Sequence, residues 1–147
     1  MNDTKFSAAI HILVLISEAD TPMSSEQIAE SVGTNPSYIR RLIGGLKDHG
    51  LIESHQGRSG FYLAKAAGEI TLLMIYKAVN GTENFKAFEL HKNPNDKCIV
   101  GRHIKPVMSG IFGEIEKETE RLMSEITLAD CISKLREDAK GELEEIT

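Results

Sequence analysis

Apolar positions recur near the helical repeat at Phe6, Ile10, Leu13, Val14 and Ile16, which predicts a helix over residues 4–19. The stretch "EADTP" ends it, because Pro22 disfavours helical backbone at the residue before it. Ser24 or Ser25 then N-caps a second helix, with Glu26 and Gln27 in its first turn and Ile28, Ala29 and Val32 as its apolar stripe. Gly33 stops that helix, since glycine accepts the positive φ of a C-terminal cap. Thr34 or Asn35 caps the next one, and Pro36 fits its first position, where the missing N–H costs nothing. On this third helix Tyr38, Ile39, Leu42, Ile43 and Leu46 share one side, while Ser37, Arg40, Arg41 and Lys47 fall largely on the other. Gly44 and Gly45 weaken it by about 1 kcal/mol each relative to alanine, which points either to a close backbone crossing or to a bend.

The pattern then changes period. Two short β-like runs, Leu51–His55 and Phe61–Lys65, flank Gly57, Arg58, Ser59 and Gly60, the signature of a hairpin with a glycine-rich tip. A three-helix unit followed by such a hairpin is a winged helix-turn-helix, and the second helix of that motif is the one that enters the major groove in such proteins. "EITLLMIYKAVNG" reads as a short buried helix ended by Asn80-Gly81. Residues 82–103 lack periodicity and contain Asn93-Pro94-Asn95, so they read as a loop. From about Lys105 to Ile126, Val107, Ile111, Ile115, Leu122 and Ile126 lie on a long helix, followed by a shorter one in "TLADCISKLRED". The expected fold is mainly α with a small β-hairpin wing, extended by a long C-terminal helix that needs a partner surface.

Charge sharpens this picture. The chain has 147 residues, 41% of them hydrophobic, enough for one core with an appended arm. Its formal charge is −5, yet residues 34–65 carry Arg40, Arg41, Lys47, Arg58 and Lys65 against only Asp48 and Glu53. The acids concentrate beyond residue 110. Screening limits electrostatic reach to about 10 Å, so a local cationic surface suffices for DNA. The N-terminal apolar run carries His11, lacks a basic leader and falls short of the roughly 20 residues that span a bilayer, which predicts a core helix of a cytoplasmic protein with no membrane association. Two cysteines, Cys98 and Cys131, cannot build a disulfide framework or a four-thiolate zinc site.

These segments resemble, in order and over nearly the whole chain, the Rrf-two (BadM-type) family of bacterial transcriptional regulators, and within it the cluster-free YwnA-like branch. The resemblance is carried by "AIHILVLI", "SSEQIAESVGTNPSYIRRLIGGLKDHGLIES", "GRSGFYLAK", "EITLLMIYKAVNG", "KCIVGRHI" and "TLADC". It implies a homodimer in which long C-terminal helices cross between subunits, with double-stranded DNA as the partner. It also implies a division into a winged helix-turn-helix DNA-binding domain at 1–80, a sensor loop at 81–104, and a dimerisation helix and tail at 105–147. Cluster-binding relatives carry three cysteines at roughly six-residue intervals in that loop. Here Cys98 matches the last of them, while Lys92 and Lys86 stand at the other two positions, so no iron–sulfur cofactor is expected. The wing departs as well, with Phe61 where the family commonly has a second glycine.

Ser37, Tyr38 and Arg41 are the candidates for base edges or adjacent phosphates, because they lie near the helix start. Tyr38 is alternatively a core residue. Arg40 and Lys47 suit backbone positioning, and Thr34 and Asn35 suit phosphate hydrogen bonds at the helix N-terminus, Asn35 being otherwise a simple cap. Arg58, with Ser59 beside it, suits the minor groove from the wing tip, or else is an ordinary turn residue. Cys98 is the candidate redox sensor, its thiolate favoured by Lys97, Arg102 and His103. The opposing reading is a small apolar loop residue inherited from cluster-binding relatives. Cys131 shares the apolar side of its helix with Leu128, Ile132 and Leu135 and reads as core. His91, Cys98 and His103 match no strong zinc spacing, and no phosphate loop, H-E-x-x-H motif or serine elbow is present, so no metal site and no enzyme is expected. A winged helix that binds another protein instead of DNA is the alternative function. The effector is not legible.

Overall fold

The structure is a computed structural model that describes residues 4–58 and 60–142. In chain order it comprises α1 (Lys5–Glu18), α2 (Ser25–Val32), α3 (Pro36–Asp48), β1 (Ile52–Ser54), β2 (Phe61–Leu63), a 3-10 turn (Ala67–Glu69), α4 (Leu72–Asn80), α5 (Ile99–Glu125) and α6 (Leu128–Asp138). Ser24 starts α2 through a capping box: its hydroxyl accepts from the Gln27 N–H at 3.2 Å, and the Gln27 side chain accepts from the Ser24 N–H at 2.9 Å. Gly33 caps its end at φ 84°. Asn35 then caps α3 by accepting from the Tyr38 N–H at 2.8 Å, so the turn between the two helices is closed within three residues.

α1 lies at the centre and packs against α2, α3, α4, α6 and β2. Because neighbours meet it from several sides, its buried stripe is wider than expected and turned: Ala8, Ala9, Ile12, Leu13 and Ile16 are buried, while Phe6, Ile10 and Val14 lie at the margin. Ile12 and Leu13 join Ile28, Ile39, Leu46, Leu51, Ile52, Ile70, Ile75 and Leu128 as fully buried side chains. His11 is exposed rather than near the core, its Nε2 3.2 Å from the Ser31 hydroxyl. The glycine pair of α3 resolves as a close crossing: a Cβ on Gly45 would stand 2.8 Å from the Ala78 carbonyl oxygen of α4, whereas Gly44 faces open space.

The wing is a two-stranded antiparallel hairpin in which Ile52 pairs with Leu63 and Ser54 with Phe61. Its turn end is seated by Gly60, at φ 117°, where any Cβ would collide with Pro22. At the other end the chain returns to the core. The Leu72 N–H donates to the Ile126 carbonyl at 2.9 Å and the Leu128 N–H to the Ile70 carbonyl at 2.7 Å, which places Leu128 and Ile132 of α6 among the core residues.

α5 begins at Ile99, earlier than the expected start near Lys105, and Pro106 lies inside it. The cause is a turn at Asn95, whose side chain accepts from the Lys97 N–H at 3.0 Å and whose carbonyl accepts from the Cys98 N–H at 3.3 Å, leaving Cys98 as the N-cap. The loop before it is tied down along α5. Glu120 accepts from the Phe85 N–H at 2.6 Å, and Glu116, a buried carboxylate, accepts from the N–H groups of Ala87 and Phe88 at 2.8 and 3.4 Å. The Phe88 and Phe112 rings stack at 4.8 Å, and Phe85 meets Tyr76 at 5.1 Å. Beyond these contacts Val107, Ile111, Ile115 and Leu122 remain substantially exposed along α5.

Candidate nucleic-acid interface

The same core that buries Ile39, Leu42, Ile43 and Leu46 turns the other face of α3 outward. Ser37, Arg40, Arg41 and Lys47 are all exposed there, together with Asn35 before the helix, while Thr34 is half-buried. Each cation is held by a neighbour. Arg40 donates from Nη2 to Glu26 Oε1 at 2.6 Å, across to the first turn of α2. The Arg41 guanidinium lies over the Tyr38 ring, 5.6 Å from its centroid. Lys47 Nζ donates to the Ser54 hydroxyl at 2.9 Å, which ties α3 to the first wing strand.

Tyr38 is half-buried against the core, and its ring carries Arg41. Asn35 is spent as the cap of α3, so its side-chain oxygen is already engaged. Arg58 is exposed on the wing, beside a groove formed with α2 and α3 that also involves Ser24, Glu26, Arg40 and Ser54. Ser59 lies outside the described residues. On the wing's strands Tyr62 donates to Glu53 at 2.6 Å, and that carboxylate raises the phenol's pKa. His55 packs against the Tyr62 ring at 4.9 Å. Glu26 and Ser54 belong to the site although neither was singled out from the sequence. Glu26 is fourteen residues from Arg40 on another helix, a separation that no repeat pattern connects.

Cys98 is exposed, and its thiol is drawn below its ordinary pKa. The cause is not the expected charged neighbours but the backbone N–H groups of Gly101 and Val100 at the start of α5. Cys131 is half-buried, and burial pushes its thiol up. Among the described residues no group of three or more histidine, cysteine, aspartate or glutamate side chains is arranged to hold a metal ion, and no helix is long and apolar enough to cross a membrane.

A helix-turn-helix with an exposed polar face on its second helix, braced by a two-stranded wing, defines a winged helix-turn-helix protein. The chain belongs to the Rrf2 family: the family model, described as iron-dependent transcriptional regulator, matches residues 2–134. YwnA of Bacillus subtilis (strain 168), named as an HTH-type transcriptional regulator, is 38% identical over 135 residues, covering 92% of this chain and 99% of YwnA. A crystal structure described as that of a DNA-binding protein superposes with a TM-score of 0.70 at 35% identity, over 87% of this chain and 98% of the other. The IscR of T. potens shares the fold at a TM-score of 0.72 and 21% identity, over 100% of this chain and 96% of its own. The names of the first two describe transcriptional regulation and DNA binding. The iron in the family's description finds a poor donor set here. The loop offers one thiol, Cys98, with ammonium groups at Lys86 and Lys92 where cluster-binding relatives have cysteines, and three of its amides, those of Phe85, Ala87 and Phe88, are engaged by Glu116 and Glu120.

Proposed function

We propose that the protein is a cytoplasmic, sequence-specific DNA-binding transcriptional repressor that acts as a homodimer on a roughly palindromic operator. The observation that carries this reading is the outward face of α3, where Ser37, Arg41 and Lys47 stand exposed beside a wing bearing Arg58, on a helix whose other face is locked into the core. Such a face fits the major groove, with the wing along the adjacent minor groove. Similarity to a structure described as a DNA-binding protein supports it. In this reading residues 1–80 bind DNA, 81–104 form the sensor loop, and the helix and tail at 105–147 join two subunits. Thr34, Asn35 and Arg40 serve the phosphate backbone, and Ser59 accompanies Arg58 at the wing tip.

The candidate signal is peroxide. The Cys98 thiolate attacks a peroxide oxygen, the O–O bond breaks, hydroxide leaves, and a sulfenic acid remains at the N-cap of α5. That change sits next to the loop held by Glu116 and Glu120 and so is placed to alter how the two subunits present α3.

Selection of bound genomic fragments by the purified protein, reduced and peroxide-treated, tests the whole reading. The expected result is enrichment of inverted repeats with half-sites about one or two DNA turns apart, weakened by peroxide and by salt. A protein that retains no duplex under any condition, yet captures a protein partner, would replace this reading with that of an interaction module.

A further inference from the structure

The Glu26–Arg40 contact stands in an unexpected place. Nη2 of Arg40 lies 2.6 Å from Oε1 of Glu26, joining the first turn of α2 to the exposed face of α3. Both side chains are more than half exposed, 56% for Arg40 and 63% for Glu26, so burial does not force them together. The groove they share with the wing is otherwise furnished for an anion: Ser24, Ser25 and Ser54 supply hydroxyls and Arg58 a second guanidinium. Among the described residues lining it, Glu26 is the sole carboxylate. A guanidinium recognises carboxylate and phosphate oxygens with the same planar fork, so whatever holds Arg40 in the free protein occupies the position a phosphate would take.

We propose that Glu26 is an internal competitor for DNA phosphate: it positions Arg40 between α2 and α3 in the free protein and subtracts one cation from sequence-independent binding. This inference rests on the DNA-binding reading above. Its consequence is a division of labour on α3. Arg41 remains available to base edges, while Arg40 engages the backbone only against the pull of its own carboxylate. Removing that carboxylate strengthens binding to any duplex, whatever its sequence.

The test is Glu26→Gln in the full-length protein. The capping box uses Ser24 and Gln27, but the Glu26 carboxylate also meets its own backbone N–H and the Ser24 hydroxyl, so thermal unfolding checks that the start of α2 survives the substitution. Affinity for a selected fragment and for a random duplex is measured against salt, in the wild type, E26Q, R40Q and the double variant. Expected for E26Q is roughly two- to fivefold tighter binding to both duplexes at moderate salt, the range an exposed ion pair allows. The slope of log affinity against log salt steepens by about 0.9, one phosphate's worth. In the R40Q background the substitution is silent. An unchanged slope in E26Q, an effect that survives R40Q, or an altered preference at a single base pair, which would make Glu26 a base reader, each overturns the inference. If the wild type itself binds no duplex in a salt-dependent way, the DNA-binding reading falls too; wild-type binding with E26Q unchanged strikes this inference alone.

Discussion

Gly45 of α3 and Ala78 of α4 approach so closely that a Cβ on the glycine would stand 2.8 Å from the alanine carbonyl oxygen. That atom is backbone, so it cannot swing away, and the crossing fixes α4 against the helix that presents the candidate DNA-binding face. Gly44, one residue earlier, has open space where its Cβ would be. The two glycines, equivalent in the sequence, therefore predict opposite outcomes. Gly45→Ala should destabilise the fold by about 1–3 kcal/mol through overpacking. Gly44→Ala should raise stability by up to about 1 kcal/mol through helix propensity. Denaturant midpoints of the two variants check this, and equal effects would remove the crossing from the account.

Arg41 and Lys47 share a helix face but differ in what they can read. Arg41 stands one turn from the helix start over the Tyr38 ring, while Lys47 is held to Ser54 at the wing. Arg41→Ala should cost about 1–3 kcal/mol of binding and relax preference at one operator position. Lys47→Ala should weaken selected and random duplexes alike and reduce the salt slope by about 1. Gel-shift titrations over a panel of single-base operator changes separate the two. Unchanged affinity in Arg41→Ala would take that residue off the contact surface.

Local signals were the readable part of this chain. Ser24, Gly33 and Asn35 occupy cap positions that their residue types announce, and the hairpin followed from two β-like runs around a glycine-rich turn. Contacts between distant segments were not readable. Glu116 and Glu120 fall in the acid-rich stretch beyond residue 110, yet Glu116 is buried and both accept backbone N–H groups from a loop about thirty residues earlier. Nothing in a charge pattern distinguishes a carboxylate that meets amides from one that meets water. The early start of α5 escaped for a similar reason, since the Asn95 turn that sets Cys98 as its cap leaves no periodic trace. Of the candidate site, the cations were legible one by one and their partners were not. Arg40 was visible, but Glu26 became visible only once α2 and α3 were folded together.

The two thiols should ionise in different pH ranges, Cys98 at lower pH than Cys131. N–H groups of Gly101 and Val100 lower the Cys98 pKa from its ordinary value, so its thiolate fraction at neutral pH is raised. Burial raises the Cys131 pKa, so its thiolate appears only at higher pH. Alkylation by iodoacetamide, followed by peptide mass analysis, should therefore label Cys98 first at pH 7, with its rate levelling off at lower pH than that of Cys131. Cys98→Ser should leave only slow labelling and abolish any peroxide effect on DNA binding. Full peroxide response in that variant would end the sensing role of Cys98.

Val107, Ile111, Ile115 and Leu122 place a half-exposed apolar row along α5, and they follow one another at intervals of four and seven residues, so they lie along one side of the helix. A second copy of the same helix is the partner that the proposed homodimer assigns to this row, because a two-fold axis brings like residues face to face. Ile111→Glu then puts a carboxylate on each side of that axis, where both must be desolvated without a counter-charge. Light scattering coupled to size exclusion should report a dimer for the wild type and a monomer for the variant, with helix content retained in circular dichroism. Operator affinity should fall by roughly a hundredfold or more, since each half-site is then bound without the effective concentration that linkage supplies. Contacts of a single α3 to its own half-site should survive, so the salt slope falls to about half rather than to zero. A variant that stays dimeric, or a wild type that is monomeric at the concentrations where it binds DNA, would assign the row to some other partner and take the palindromic operator with it.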